Sequence, residues 1–240
     1  MLAAAATAGC GHRQVLEPYV PTLSVSRILA FGDSLTEGLA TPSAITPAFA
    51  HPTNDPGPSK GYPYKLLSLL TTRYASQTIS VYNGGVGGRL LADDALDRPD
   101  RTLGEFLDAF SPQVMILMHG ANDTNSPGAD VDAVAALEGV LIDKALARGT
   151  SVIVSSLPPR MPGGNPERVA NAASVVPFNA ALAKLAAQKG VPFVDIYSLI
   201  TPGLSGPDIA PDGLHLTESG NSKLAAAYFD ALRLRYETSK

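Results

Sequence analysis

The chain has no tryptophan and a single cysteine, Cys10. One cysteine excludes an intrachain disulfide framework, and it also excludes zinc or iron–sulfur sites built from several cysteines. The fold must therefore be held by its hydrophobic core, and 240 residues with 45% hydrophobic side chains are enough for one well-buried domain. The absence of tryptophan disfavours a surface that stacks on sugar rings or bases.

Long runs of basic residues and long apolar runs are also missing. The 18 basic and 22 acidic residues give a net charge of −4 and include no basic run, so the sequence lacks the electrostatic footprint of a nucleic-acid-binding protein. No uncharged apolar run reaches the roughly 18 residues of a membrane-spanning helix. The sequence therefore predicts neither a nucleic-acid partner nor a transmembrane segment.

The N-terminal stretch MLAAAATAGCGH is small and apolar as far as Cys10. It is similar to the end of a secretory signal without its basic region, and TAGC resembles a bacterial lipoprotein cleavage box in which Cys10 would carry a lipid anchor. A disordered tail is the alternative. We treat residues 1–20 as a leader remnant or disordered tail and residues 21–240 as one domain. We expect an exported protein, whether periplasmic, secreted or lipid-anchored, with a cytoplasmic location as the alternative.

Short apolar runs alternate with longer segments of helical period along the rest of the chain. The apolar runs predict strands over 27–31, 78–83, 114–119, 151–157 and 191–196, and the longer segments predict helices over 61–74, 102–110, 130–149, 175–190 and 217–236. The strand runs are continuously apolar, as expected where both faces of a parallel sheet are covered. The fold class is therefore α/β, a three-layer α/β/α sandwich with a five-stranded parallel sheet in flavodoxin-like order.

Two irregular stretches interrupt this pattern. Residues 41–60 contain five prolines, and residues 158–168 have the sequence PPRMPGGNPER. Both follow the carboxyl ends of predicted strands, where open α/β sheets bind their ligands. They are either walls of a substrate pocket or tolerated surface insertions.

Residues that can carry chemistry lie at the same edge of the predicted sheet. Ser34 follows the first strand, glycines of the segment 83–88 follow the second, Asn122 follows the third, and Asp212 and His215 lie in the loop before the last helix. A serine hydroxyl becomes a nucleophile when an imidazole takes its proton, and a carboxylate orients that imidazole. The Ser34 N–H, a glycine N–H and the Asn122 amide are suitable donors to an oxyanion. Ser34 has a second interpretation, as the N-cap of a helix with Glu37 completing a capping box.

The segments FGDSLTEG (31–38), NGGVGG (83–88), GAND (120–123) and DGLH (212–215) resemble the four sequence blocks of the GDSL or SGNH hydrolase family. The resemblance covers residues 27 to about 236, and four blocks in the right order are a specific signal. It implies a serine esterase or acylhydrolase on a flavodoxin-like sandwich, without metal or cofactor. Its nucleophile falls on Ser34 and its Asp-x-x-His pair on Asp212 and His215.

The resemblance also implies an oxyanion hole formed by Ser34, Gly88 and Asn122. The spacing from Asn83 selects Gly88, although a shifted register would place Gly87 or Gly85 there instead. An ionised Asp123 would repel an oxyanion, which favours Asn122. Of the neighbouring side chains, we expect Asp33 to be structural, His119 to be a packed core residue and Arg89 to form a surface salt bridge.

The sequence indicates a small-molecule ester as the substrate but does not identify which ester. Small residues around the four blocks and the lack of a long apolar loop favour short acyl chains, from acetyl to butyryl. The alternatives are a lysophospholipase or thioesterase, a carbohydrate acetylesterase, and a non-catalytic ligand-binding protein. A nucleotide- or flavin-binding module is disfavoured because no G-x-G-x-x-G follows the first strand and no P-loop motif occurs. The α/β-hydrolase fold is disfavoured because no G-x-S-x-G lies in mid-chain.

Overall fold

The computed structural model describes residues 20–38, 60–98, 102–203 and 206–239. Within these ranges the strands are β1 (Pro21–Leu23), β2 (Arg27–Gly32), β3 (Ser80–Gly85), β4 (Val114–Met118), β5 (Ser151–Ser155), β6 (Phe193–Val194) and β7 (Glu237–Ser239). The α-helices are α1 (Ser34–Glu37), α2 (Tyr62–Arg73), α3 (Leu91–Ala95), α4 (Leu103–Phe110), α5 (Val131–Ala147), α6 (Pro166–Val169), α7 (Val175–Lys189) and α8 (Glu218–Tyr236). The predicted tail over residues 1–20, including Cys10, and the excursion 41–60 lie almost wholly outside the described residues.

Five strands form a parallel sheet in the order β3-β2-β4-β5-β6. This is the flavodoxin-like order, and the predicted fold class is confirmed. All residues of β4, the central strand, are buried, which is why its sequence VMILM is apolar throughout. Helices α2 and α8 pack on each other in one layer, while α5 contacts α3, α4 and α7 in the other.

Capping residues define the ends of two long helices. The Asp130 side chain caps α5 by accepting the N–H groups of Asp132 and Ala133. Gly190 ends α7 in the left-handed conformation, with φ of 65°. Aspartate and glycine are residue types that favour these two helix ends.

All five sheet strands differ from their predicted ranges by one or two residues at one end or both, and β3 and β6 differ at both ends. β3 begins and ends two residues later than predicted, because it pairs with β2 in a register that joins Arg27 to Ser80 and Gly32 to Gly85. β6 contains only Phe193 and Val194, since it lies at the edge of the sheet and pairs with the last two residues of β5 alone.

A small second sheet was not predicted. β1 and β7 pair antiparallel, with the hydroxyl oxygens of Thr22 and Thr238 2.9 Å apart. Neither segment has the apolar run that identified the other strands. The pair joins the two ends of the described chain beside the main sheet.

One segment, Pro166–Lys189, is long and apolar enough by length and composition to cross a membrane. In the structure it is divided into α6, a 3₁₀ turn at Ala172–Ser174 and α7. α7 buries Val175, Phe178 and Leu182 against the rest of the core. The core helix of an α/β domain satisfies the same composition test.

Candidate active site

Ser34 is the first residue of α1, directly after the carboxyl end of β2. The cap of this helix is Asp33, whose Oδ1 accepts the Leu35 N–H at 3.0 Å and whose Oδ2 accepts the Ala121 N–H at 2.9 Å. Asp33 is fully buried, so it ties the start of α1 to the segment after β4, in the structural role expected for it. The interpretation of Ser34 as the capping residue is wrong, and its hydroxyl is available to another partner.

That partner is His215. Its Nε2 lies 2.9 Å from the Ser34 Oγ, and its Nδ1 lies 2.6 Å from the Asp212 Oδ2. Both distances are those of hydrogen bonds. The structure thus brings together the serine after the first strand of the sheet and the Asp-x-x-His pair before the last helix.

Asp212 is held in its charged form. Burial on its own would raise its pKa, but the hydrogen bond to the His215 ring and those from the Leu214 and His215 N–H groups outweigh burial and lower the pKa to about 2. A charged carboxylate at Nδ1 places the ring proton on that nitrogen, which leaves the lone pair of Nε2 directed at Ser34. Arg168 lies farther out, with its Nε 3.9 Å from the Asp212 Oδ2.

The segment 158–168 packs on the loop that carries Asp212. The Met161 N–H donates to the Gly213 carbonyl at 2.8 Å, and the Asn165 N–H donates to the Asp212 carbonyl at 3.0 Å. A Cβ on Gly164 would lie only 2.4 Å from the Asp212 carbonyl oxygen, so the close approach requires glycine. This segment is therefore a support for the Asp212 loop and not a detached surface insertion.

The three candidate oxyanion glycines differ in what their N–H groups do. The Gly85 N–H donates to the Asn83 side chain at 2.9 Å, and the Gly87 N–H donates to the Glu37 Oε2 at 2.8 Å. For the Gly88 N–H, no acceptor lies within hydrogen-bond distance among the described residues. Gly88 is exposed and has φ of 77°, a left-handed conformation that favours glycine. Of the three glycines, Gly88 is the one whose N–H is free to meet a ligand.

A hydrogen bond joins Asn122 to the residue that follows Gly88. Its Nδ2 donates to the carbonyl of Arg89, the residue after Gly88, at 2.9 Å. An amide nitrogen carries two protons, so the second Nδ2 proton remains for another acceptor. The two predicted donors, the Gly88 N–H and the Asn122 amide, therefore lie at the same sheet edge. They are connected through the Arg89 carbonyl.

His119 and Arg89 both contact a residue that the sequence analysis did not identify, Asp94. The His119 Nε2 lies 3.0 Å from the Asp94 Oδ2, and the Arg89 Nη2 donates to the Asp94 Oδ1 at 3.1 Å. His119 is fully buried, as predicted. The expected surface salt bridge of Arg89 is instead largely buried, since the two side chains are 11% and 1% exposed.

Arg160 lies in a proline-rich segment that carries no sequence signal for burial. It is 5% exposed and donates to the Ala121 carbonyl and, at 2.7 Å, to the Thr124 hydroxyl. Burial lowers the pKa of its guanidinium to about 10, so it stays charged at neutral pH. It holds the segment around Asn122 from the side of residues 158–168.

A cavity of about 510 Å³ lies elsewhere, lined among others by Arg27, Gln113 and Thr150. These residues are at the amino ends of β2, β4 and β5, the sheet edge opposite to Ser34. Across the residue ranges given above, no group of three or more His, Cys, Asp and Glu side chains is arranged to hold a metal ion.

A hydrogen-bonded serine, histidine and aspartate at the carboxyl edge of a parallel sheet is an arrangement found in hydrolases. A family model for the GDSL-like lipase/acylhydrolase family matches residues 30–223 of the sequence. The match covers all four sequence blocks and most of the chain, and the chain belongs to this family. No curated protein has a matching sequence.

Solved structures with the same fold include several esterases. A carbohydrate acetylesterase from Sinorhizobium meliloti is 22% identical with a TM-score of 0.68, over 88% of this chain and 100% of that one. An acetylxylan esterase from Geobacillus stearothermophilus is 19% identical with a TM-score of 0.66, over 86% of this chain and 94% of that one. At these sequence identities, the similarity is evidence for a shared fold alone.

Proposed function

We propose that the protein is a metal-independent serine esterase that hydrolyses carboxylic esters of short acyl chains through an acyl-enzyme. The observation that carries the proposal is the hydrogen-bonded chain from the Ser34 Oγ through the His215 ring to the Asp212 carboxylate, with distances of 2.9 and 2.6 Å. Family membership supports hydrolysis of an acyl group.

In the first half of the reaction, the Ser34 Oγ attacks the ester carbonyl carbon while His215 Nε2 takes the hydroxyl proton. The charged Asp212 stabilises the resulting imidazolium. The carbonyl oxygen becomes an oxyanion, which the N–H groups of Ser34 and Gly88 and the Asn122 amide would meet. The ester C–O bond then breaks, and His215 gives its proton to the departing alcohol.

In the second half, a water molecule takes the place of the alcohol. His215 Nε2 accepts a proton from this water as its oxygen attacks the acyl carbon, and the second oxyanion meets the same donors. The bond between Ser34 Oγ and the acyl carbon breaks, and Oγ recovers the proton from His215. The products are a carboxylic acid and the free enzyme.

The Ser34 N–H fits the role of an oxyanion donor. It belongs to the first turn of α1, where helix N–H groups have no partner within the helix. The Leu35, Thr36 and Glu37 N–H groups are bound by Asp33, whereas none of the described residues accepts the Ser34 N–H.

A carbohydrate acetylesterase is the second candidate, and it is a special case of the first. Two proteins with this fold and of similar length act on acetylated carbohydrates according to their names. The two candidates share the acyl group and differ in the alcohol, so an acetyl preference on synthetic esters would be followed by acetylated sugars as substrates.

The test is hydrolysis of p-nitrophenyl esters from acetate to palmitate by the wild type and by Ser34→Ala, with a metal chelator present. We expect activity that falls steeply beyond butyrate and that Ser34→Ala abolishes. Ser24→Ala, an exposed serine outside the site, is the matched control and should keep wild-type turnover. Retained activity in Ser34→Ala would contradict the mechanism, and a preference for palmitate would contradict the short-chain assignment. A lack of turnover on every ester and acetylated sugar would favour a ligand-binding protein.

A further inference from the structure

Asp94 connects the two chain segments that carry the proposed oxyanion donors. One carboxylate oxygen binds Arg89, the residue after Gly88, and the other binds His119, three residues before Asn122. Asp94 is 1% exposed, and a buried carboxylate is kept only where it is well paired. It lies on α3, which buries only Leu91 and Asp94.

The hydrogen bonds of the His119 ring define which of its nitrogens donates and which accepts. The Gly120 N–H donates to the His119 Nδ1 at 2.7 Å, so Nδ1 is an acceptor and Nε2 donates to Asp94. The next two residues are held as well, since the Ala121 N–H is bound by Asp33 and the Asn122 amide by the Arg89 carbonyl. The segment from His119 to Asn122 is thus fixed residue by residue.

The helix that carries Asp94 is itself anchored at both ends. The Asp123 carboxylate accepts the Leu91 N–H at 3.0 Å, and the Lys144 ammonium donates to the carbonyls of Asp94 and Ala95 at 2.9 Å. A five-residue helix would not be stable alone. Its position is set by these contacts, which place the Asp94 carboxylate between the two donor segments.

We propose that Asp94 is a positioning residue for the oxyanion hole, which holds the Gly88 N–H and the Asn122 amide at a fixed separation through Arg89 and His119. The inference rests on the proposed esterase function. Donors of this kind act only when they are preorganised at the place where charge develops. Because that charge exists in the transition state and not in the bound ester, loss of Asp94 should lower kcat and leave KM nearly unchanged.

The first test compares Asp94→Asn with Asp93→Asn, the neighbouring residue on α3, whose side chain is 28% exposed and pairs with Arg98. An asparagine at position 94 keeps the shape but turns one oxygen into a donor, which cannot bind both Arg89 and His119. We expect kcat to fall by about ten- to a hundredfold in Asp94→Asn, as for a misplacement of catalytic groups by about 1 Å. Asp93→Asn should retain wild-type kcat and KM.

A double-mutant cycle with Asn122→Ala distinguishes positioning from general destabilisation. If Asp94 acts through the oxyanion donors, its effect on kcat shrinks when the Asn122 donor is already absent. Full additivity of the two effects, or an unchanged kcat in Asp94→Asn, would overturn the proposal. If Asp94→Asn does not fold, Arg89→Met breaks the same connection at its Gly88 end and takes its place in the cycle.

A second measurement does not depend on turnover. In the ¹H–¹⁵N spectrum of the labelled protein, the Asn122 side-chain amide is identified by its loss in Asn122→Asp. We expect one of its two protons to be protected from exchange in the wild type and in Asp93→Asn, and to lose that protection in Asp94→Asn. Unchanged protection in Asp94→Asn would overturn the proposal. If the wild type shows no Ser34-dependent hydrolysis, the proposed function fails, while this spectrum still reports whether Asp94 holds Asn122.

Discussion

Asp212 and Ser34 have different parts in the proposed reaction, and the hydrogen bonds of Asp212 explain the difference. Ser34 forms and breaks a covalent bond, whereas Asp212 orients His215 and stabilises its charged form. Its Oδ1 also accepts two backbone N–H groups, so it fixes the conformation of its own loop. A substitution that changes the charge and keeps the shape can separate these two parts.

Asp212→Asn should lower kcat by about 10⁴-fold, because an amide that donates to Nδ1 reverses the tautomer of His215. Ser34→Ala should be more severe, at about 10⁶-fold. Steady-state kinetics with p-nitrophenyl acetate measure both, with Asp230→Asn on the exposed face of α8 as a control for loss of an aspartate. An Asp212→Asn variant that retains more than a tenth of wild-type kcat would contradict the role of Asp212.

The supporting segment 158–168 packs directly on the loop that carries Asp212. Gly164→Ala should lower both stability and kcat, since its Cβ would overlap the Asp212 carbonyl and displace the loop that carries Asp212. The matched control is Gly104→Ala in α4, where the nearest atom to a new Cβ is 3.6 Å away. There we expect a gain of about 0.5–1 kcal/mol from helix propensity and unchanged kcat. Thermal unfolding and esterase assays of both variants check this, and equal behaviour of the two would contradict it.

Elements with a strong local signal were predictable from the sequence. The five sheet strands follow from apolar runs, and their parallel arrangement follows from the alternation of strands and helices. The exact range of β3, the shortness of β6 and the pairing of β1 with β7 depend on neighbours distant in sequence. Those neighbours set the register, and no local pattern encodes them.

Part of the proposed site was also predictable from the sequence, and part was not. Ser34 and Asn122 lie just after strand ends, Asp212 and His215 lie in the loop before α8, and the sequence blocks identify all four. Asp93 and Asp94 look equivalent in sequence, as two acids in the first turn of one helix. Only the packing of α3 between two loops decides that Asp94 is buried between Arg89 and His119, while Asp93 is partly exposed and pairs with Arg98. The role of Arg160 could not be recognised from the sequence for a similar reason, because its hydrogen-bond partners lie in the segment after β4.

At the scale of the whole molecule, one buried carboxyl should contribute to how stability changes with pH. Glu138 on α5 is fully buried, and neither of its oxygens has a hydrogen-bond partner among the described residues. Burial raises its pKa well above the usual value, and the negative charges of Asp33 and Asp123 raise it further. The folded protein thus keeps a proton that the unfolded chain releases near pH 4.3, the approximate pKa of a free glutamate.

Because the folded state binds this extra proton, the free energy of unfolding should fall as pH rises above the pKa of the unfolded chain. Glu138→Gln removes the titrating group, so its stability relative to wild type should increase from acid to alkaline pH. Chemical denaturation across this range measures the difference, with the exposed Glu167→Gln as control. A constant difference between Glu138→Gln and wild type would show that Glu138 does not titrate in this way.

The central claim is that Ser34 carries the acyl group during turnover, and rapid acid quench followed by intact mass spectrometry tests it most directly. The protein is mixed with p-nitrophenyl acetate, quenched during steady state and digested to locate any adduct. We predict a mass increase of one acetyl group, located on Ser34 and absent in Ser34→Ala. Turnover without an adduct, or an acetyl group on another residue while Ser34 stays unmodified, would contradict the account.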